Sequence, residues 1–160
     1  MDDLLQFLRA RLDEDERVAR AATEGPWWYN PGKQWLGPEA FEKYDLRQGE
    51  EFVGYGGPHP FTGAVCATGP ANNMQSMQDA EHIARHDPAR VLAEVEAKRR
   101  IIEEHKPAVP KGRPNRERGC LTCTTAQEWD AAANEANCLT LRLLASPYAD
   151  RPGYREEWRP

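Results

Sequence analysis

The stretch "RERGCLTCTTAQ" (residues 116–127) sets two thiols three residues apart in a chain with four cysteines. Two thiolates at this spacing on a tight turn can ligate one tetrahedral zinc, each at about 2.3 Å. Zinc takes four ligands, and two further candidates stand at equal removes. Cys138 follows Cys123 after 14 intervening residues, and His105 precedes Cys120 by the same interval. The pattern His-x14-Cys-x2-Cys-x14-Cys predicts a structural zinc (Zn) held by His105, Cys120, Cys123 and Cys138. One Cys-x-x-Cys is a weaker signature than two, and the outer spacing matches no standard finger. A redox role is an alternative, although no thioredoxin-like strand–helix pattern precedes the pair. Ordinary unligated thiols are another.

A second constellation is "DAEHIARH". Asp79, His82 and His86 fall at i, i+3 and i+7 on one helical face, and histidines four apart can grip a metal. With Asp79 they offer two nitrogens and a carboxylate, enough for a catalytic metal with an open position. No glutamate base lies between the histidines, however, and the same face carries packing residues. Capping or core histidines are the plainer reading. Cys66, in "GAVCAT", reads most simply as a buried strand residue. There is no Gly-x-Gly-x-x-Gly, no phosphate-binding loop before Lys-Ser/Thr, no Gly-x-Ser-x-Gly and no His-Glu-x-x-His.

The elements that must position these side chains can be read from periodicity. Leu4, Leu8 and Leu12 recur every four residues with Leu5 beside them, which predicts a helix to about Ala22. Asp2 and Asp3 stand where they favour its first turn. Gly25, Pro26 and Pro31 forbid its continuation. From there to about Met77 the chain is rich in Gly, Pro and aromatics. "EEFVGYGG" and "TGAVCAT" read as short strands, with "WWYN" as another. Trp27, Trp28, Trp35, Phe41, Tyr44, Phe52 and Tyr55 crowd this stretch. Several must supply core, and an aromatic ligand pocket is the sharper alternative.

A short helix is predicted at about Gln78 to His86. Asp87-Pro88 then reads as an N-cap with Pro at the first helical position of a long helix. Val91, Leu92, Val95 and Ile102 form its apolar stripe, and Glu94 and Glu96 face Lys98 and Arg100 at spacing four. "KPAVPKGRPNRERG" is a Pro-rich basic loop. A last helix carries Trp129, Ala132, Ala136, Leu139 and Leu143 as apolar positions, runs through Cys138 and ends before Pro147. The zinc would therefore staple two helices and the loop between them. Residues 106–124 have few apolar side chains and could hardly fold otherwise.

The expected fold class is α+β: an N-terminal helix, a small antiparallel sheet or hairpins, a long central helix and a C-terminal zinc-stapled helical segment. One domain is expected over residues 1–160. It comprises a helix-sheet-helix body (1–105), the zinc-stapled loop and helix (106–147) and a tail (148–160).

The bulk properties agree. A chain of 160 residues can bury roughly 70% of its unfolded surface. With 39% hydrophobic and 29% charged residues, 13 Pro and 12 Gly, the composition is globular and loop-rich, not disordered. No apolar run approaches the ~20 residues of a membrane span. The start "MDDLLQFLRARLDEDE" lacks the basic opening of a signal peptide. A cytoplasmic protein is expected, where disulfides are rare.

Net charge is −5, unevenly spread. Residues 1–51 carry 12 acids against 7 bases, and residues 98–118 carry 8 bases against 3 acids. A nucleic-acid partner would have to meet the second segment. A solvated basic loop is the plain alternative.

Several segments carry a resemblance: "MDDLLQFLRARLDEDE", "RAATEGPW", "DAEHIARHDPARVLAEVEAKRRIIEEH" and "CLTLRLLASPYADRPGYREEWRP". In order and content they resemble a family of small actinobacterial and phage-encoded proteins, a domain of unknown function with ATxGPW and DAxHIARHDP motifs. Together they span about half of the chain, and residues 32–76 fit no family pattern. The resemblance implies similar residues at His105, Cys120, Cys123 and Cys138. It also implies that an apolar residue can stand at position 82, which speaks against a metal at His82. It implies no activity and favours an accessory protein.

The function these readings favour is a small zinc-stabilised binding or accessory protein, the metal structural. Its partner would be a protein or a nucleic acid, met through basic segment 98–118 or through the C-terminal tail with Tyr148, Tyr154 and Trp158. For the tail the plain alternative is that Tyr148 and Trp158 pack back on the core. The rival is a metal-dependent enzyme using Asp79, His82 and His86, so whether the chain is an enzyme stays open. A third reading has the acidic run Asp13–Glu16 mimic nucleic acid, and a solvated helix face is simpler.

Overall fold

The computed structural model describes residues 2–29, 50–56, 62–71, 73–109, 119–123 and 138–160. It is of mixed α+β class, and its contacts divide into two compact units. One comprises Met1–Asp15 with Glu94–Pro160, the other Glu16–Ala93.

Helix α1 spans Asp2–Ala21. Its stripe is the predicted one: Leu4, Leu8 and Leu12 are 2%, 1% and 1% exposed, and Leu5 and Phe7 are buried beside them. The i, i+4 spacing puts these side chains on one face, and their burial is what holds a helix whose other side is charged. The acidic run is paired. Asp13 accepts from Arg99 (2.6 Å), Glu14 meets Arg11 (3.0 Å), Asp15 accepts from the Tyr148 hydroxyl (2.6 Å) and Glu16 meets Arg20 (2.7 Å). Asp13 and Glu14 remain exposed, so this run is a solvated, paired helix face.

The unit Glu16–Ala93 holds a three-stranded antiparallel sheet in the order β1-β2-β3, with β1 at Trp27–Trp28, β2 at Glu50–Tyr55 and β3 at Gly63–Pro70. β1 and β2 lie within the runs predicted as strands, and β3 extends two residues beyond its predicted end at Thr68. Two cross-strand pairs set an aromatic over a glycine. Trp28 faces Gly54 and Tyr55 faces Gly63, and a β-carbon on either glycine would fall within 2.6 Å of the opposing ring. The glycines thus give the flat rings room to lie on the strand. Trp28 also meets Phe52 edge-on, with ring centroids 5.5 Å apart. Trp27 packs with Tyr29, Val65 and Ile83 around buried Val53, Ala80 and Ala84. These aromatics serve as core. Trp35, Phe41 and Tyr44 lie outside the described residues.

Helix α2 covers Met74–Ala84, starting four residues before its predicted start. The reason is Asn73, whose side chain accepts the Gln75 N–H at 2.8 Å and caps the first turn. Ser76, Ala80 and Ala84 form its buried stripe. Helix α3, Pro88–Glu104, begins where predicted: Asp87 caps it through the Arg90 N–H at 2.9 Å, and Pro88 follows. A β-carbon on Gly25 would lie 2.8 Å from Asp87 Oδ2. The "ATEGPW" and "DAEHIARHDP" segments therefore meet through this glycine and this cap. Along α3, Val95 and Ile102 are buried, Val91 and Leu92 are half-buried, and Arg100 pairs with Glu96 at 2.9 Å.

The other unit contains a feature the sequence reading did not predict. Both ends of the Pro-rich loop pair as a short antiparallel ribbon, β4 (Pro107–Ala108) with β5 (Gly119–Cys120). Residues 110–118 lie outside the described residues, as does the predicted helical run 124–137 with Trp129, Ala132 and Ala136. Helix α4 is described from Leu139 to Ala145, with Cys138 as its N-cap residue. Its buried face is formed by Leu141 and Ala145, while Leu139 and Leu143, expected inside, are about half exposed. The buried Cys138 sets this orientation, because positions 141 and 145 follow it at i+3 and i+7.

The tail folds back as two 3₁₀ turns, Ser146–Tyr148 and Glu156–Trp158. Tyr148 is 9% exposed and Trp158 4%. Phe7 meets the rings of Tyr148, Tyr154 and Trp158 at centroid distances of 6.5, 6.0 and 5.2 Å. Arg142 of α4 donates to the backbone carbonyls of Trp158 and Arg159. Two of the three tail aromatics are core and do not offer a binding surface.

Candidate metal centre

Three segments deliver the four candidate side chains. His105 is the residue after α3, and its N–H still bonds back to Ile101 and Ile102 carbonyls at 3.1 and 3.2 Å. Cys120 ends β5, and residues 121–123 turn directly after it. The turn is tied to the end of α3 by the Thr122 hydroxyl, which donates to the Glu104 carbonyl at 2.6 Å. Cys138 is the extended N-cap residue of α4.

These segments bring the four donor atoms within 4.8 Å of one another. His105 Nδ1 lies 3.4 Å from Cys120 Sγ, 3.2 Å from Cys123 Sγ and 3.7 Å from Cys138 Sγ. The Cys123 and Cys138 sulfurs are 3.9 Å apart, nearly twice the ~2.05 Å of a disulfide. All four cysteines of the chain are free thiols. Cys120 and Cys138 are buried at 2% and 1% exposure, and Cys123 is exposed. His105 and the three cysteines are thus positioned to bind a metal ion, through Nδ1 of the imidazole.

Burial pushes the Cys138 thiol up to about 12, opposed by a hydrogen bond from the Leu141 backbone and reinforced by the neighbouring Cys120 and Cys123 sulfurs. Crowding three sulfurs in a half-dry site disfavours thiolates unless a cation joins them. Two hydroxyls that sequence reasoning missed support the site. Thr122 fixes the turn, and Thr140 Oγ1 lies 3.6 Å from Cys123 Sγ. Their signal was present in the sequence: each is a hydroxyl residue within two positions of a candidate ligand, where outer hydrogen bonds commonly orient metal ligands.

The second constellation is not brought together in the same way. The His82 and His86 rings stack with centroids 4.4 Å apart, but His86 Nδ1 bonds the His82 carbonyl at 2.7 Å. Asp79 Oδ1 accepts from Gln75 Nε2 at 2.8 Å. All three side chains are exposed. Among the described residues, the His105–Cys120–Cys123–Cys138 group is the one set of three or more metal-ligating side chains in mutual reach.

Of the basic segment, Arg99 pairs with Asp13, Arg100 with Glu96 and Lys106 with Glu103. Lys111, Arg113, Arg116 and Arg118 lie outside the described residues. No helix among the described residues is long and apolar enough to cross a membrane.

Fold and site together define a small α+β protein with a cluster of three cysteines and one histidine that could hold a metal ion. The chain belongs to the family of unknown function DUF6221, which matches residues 1–160. No curated protein and no solved structure matches it.

Proposed function

We propose that this chain is a small zinc-stabilised accessory protein in which the metal is structural and His105, Cys120, Cys123 and Cys138 are its ligands. The observation that carries the reading is the set of donor spacings. A tetrahedral zinc with Zn–S of about 2.3 Å and Zn–N of about 2.05 Å requires S···S of about 3.8 Å and N···S of about 3.6 Å. Four of the six spacings, 3.2, 3.4, 3.7 and 3.9 Å, fall within about 0.4 Å of those values, and all six lie within 4.8 Å, so a small contraction would close the set around an ion. Thiolate-rich tetrahedral sets favour zinc over the oxygen-seeking cations. Four protein ligands leave no open position, which suits a structural role over a catalytic one.

Function then resides in a surface. With Tyr148 and Trp158 buried, the basic segment 98–118 is the candidate for a partner, be it protein or nucleic acid. Elemental mass spectrometry on protein purified without added metal tests the metal reading. One zinc per chain is expected, lost together with the fold of the metal-binding segments in Cys123→Ser. A chain without zinc, or a zinc that survives Cys123→Ser unchanged, refutes it.

A further inference from the structure

We propose that the metal centre is also a modification site, at which peroxide oxidises Cys123, links it to Cys138 and expels the metal; this rests on the zinc reading above. Three observations on the four side chains point there. First, the sulfurs differ in access. Cys120 and Cys138 are 2% and 1% exposed, whereas Cys123 is exposed, so a dissolved oxidant reaches one sulfur before the others. Second, three thiolates and a neutral imidazole around a divalent cation carry a net charge of −1. Excess electron density therefore stays on the sulfurs, which keeps an exposed one nucleophilic. The hydroxyl of Thr140, 3.6 Å from the Cys123 sulfur, is a neutral donor that withdraws only part of this density. Third, a resolving sulfur is already adjacent: Cys138 Sγ is 3.9 Å away, so closing a ~2.05 Å bond takes a shift of about 2 Å.

The chemistry balances with hydrogen peroxide as the oxidant. The Cys123 thiolate attacks one peroxide oxygen, the O–O bond breaks, and the departing hydroxide takes a proton to become water, leaving Cys123 as a sulfenic acid. The Cys138 thiolate then attacks that sulfur, the S–O bond breaks, and a second hydroxide leaves and is protonated. Two thiolates, one peroxide and two protons give one disulfide and two waters, the two electrons passing from sulfur to oxygen. The ion is left with Cys120 and His105, half its ligands, and dissociates. A dithiol reductant with added zinc reverses the sequence.

The experiment uses the full chain carrying Cys66→Ser, which removes the one thiol outside the centre, loaded with zinc and assayed for metal before any oxidant is added. Lack of zinc at that point refutes the zinc reading itself and is distinct from every later outcome. The protein is then titrated with hydrogen peroxide, released zinc is followed with a chromophoric chelator, and linkages are mapped by mass spectrometry after alkylation. The expected result is one zinc released per disulfide, a Cys123–Cys138 crosslink, and recovery with dithiothreitol and zinc. Zinc retained at peroxide concentrations that fully oxidise glutathione overturns the proposal. So does release with a Cys120–Cys123 crosslink, or with sulfinic acids and no disulfide. Cys123→His, which can keep four ligands without the exposed sulfur, should hold zinc against peroxide. Equal release from that variant also overturns the proposal, and if it does not fold, the crosslink map on the parent still decides.

Discussion

Replacing Tyr148 with Phe tests the docking of the tail with a magnitude that follows from the geometry. The Tyr148 hydroxyl donates to Asp15 Oδ2 at 2.6 Å with the side chain 9% exposed, a short hydrogen bond to a carboxylate. Bonds of this kind contribute about 1.5–3 kcal/mol, and Phe keeps the ring that meets Phe7. Near neutral pH, Tyr148→Phe should therefore lose about 1.5–3 kcal/mol. Burial, with the Asp15 carboxylate second, pushes the Tyr148 phenol well above the ordinary tyrosine range. The sign follows from linkage: a raised folded value means the native state holds the proton more tightly than the unfolded chain. Its contribution is complete below the unfolded value of about 10 and declines as pH climbs from there towards the folded one, by about 1.4 kcal/mol per pH unit. At about pH 11 the wild type should thus have lost about 1.4 kcal/mol that Tyr148→Phe does not lose. Urea unfolding of both proteins near pH 8 and near pH 11 measures this. A deficit that stays constant with pH, or a variant as stable as the wild type near pH 8, refutes the assigned hydrogen bond.

Loading the His105–Cys120–Cys123–Cys138 cluster with cobalt(II) should give the intense visible bands of tetrahedral coordination together with thiolate charge-transfer absorption. A pale octahedral spectrum counts against three sulfur ligands. Gly69→Ala should destabilise the unit Glu16–Ala93 by about 1–3 kcal/mol, read from thermal unfolding. The glycine has φ +130°, and a β-carbon there would lie 2.6 Å from Ser76 Oγ; an unchanged midpoint refutes the strain. If the partner is a nucleic acid, binding should weaken steeply with salt, and Lys111→Ala with Arg113→Ala should lower the slope of log K against log salt by about two. A flat salt dependence points to a protein partner. Chelation should raise amide exchange in the tail as well as around the cysteines, because Arg142 ties Trp158 and Arg159 to the helix that begins at Cys138. Tail amides unchanged on chelation would sever that link.

Much of the fold was legible because local rules and tertiary burial agree along it. The four-residue recurrence of leucines in α1 and the Asp87-Pro88 start of α3 each combine a periodic stripe with a terminal signal. The strands announced themselves through aromatic and β-branched residues bounded by glycine. What escaped was long-range or conditional. Two-residue strands such as Pro107–Ala108 and Gly119–Cys120 have no local signature, since their pairing exists only once the chain has returned on itself. The start of α2 depended on weighing Asn73 as a cap in a polar stretch. The buried face of α4 differs from the expected one because Leu139 and Leu143 make as good a stripe as Leu141 and Ala145, and only the buried thiol of Cys138 chooses between them.

The clustering of His105, Cys120, Cys123 and Cys138 was legible for a different reason. Its evidence is a count of residue types able to bind a soft cation, not a periodicity, and those types are scarce in this chain. Three cysteines and one histidine, symmetrically spaced about a Cys-x-x-Cys, leave few other partners to consider. The same scarcity explains why a metal suits this place in the fold. The ribbon of β4 and β5 is two residues long on each side, and Leu121 in the turn is about half exposed. So small an element buries too little apolar surface to offset the entropy of ordering it. In the proposed reading four bonds to one ion would supply what packing does not, at the junction of α3, the turn and α4. From α4 the contacts run on through Arg142 to Trp158 and from Trp158 to Phe7 of α1. An ion held by His105 and the three cysteines would therefore organise more of its unit than the residues that touch it, so its removal should be felt at the tail as well as at the thiols.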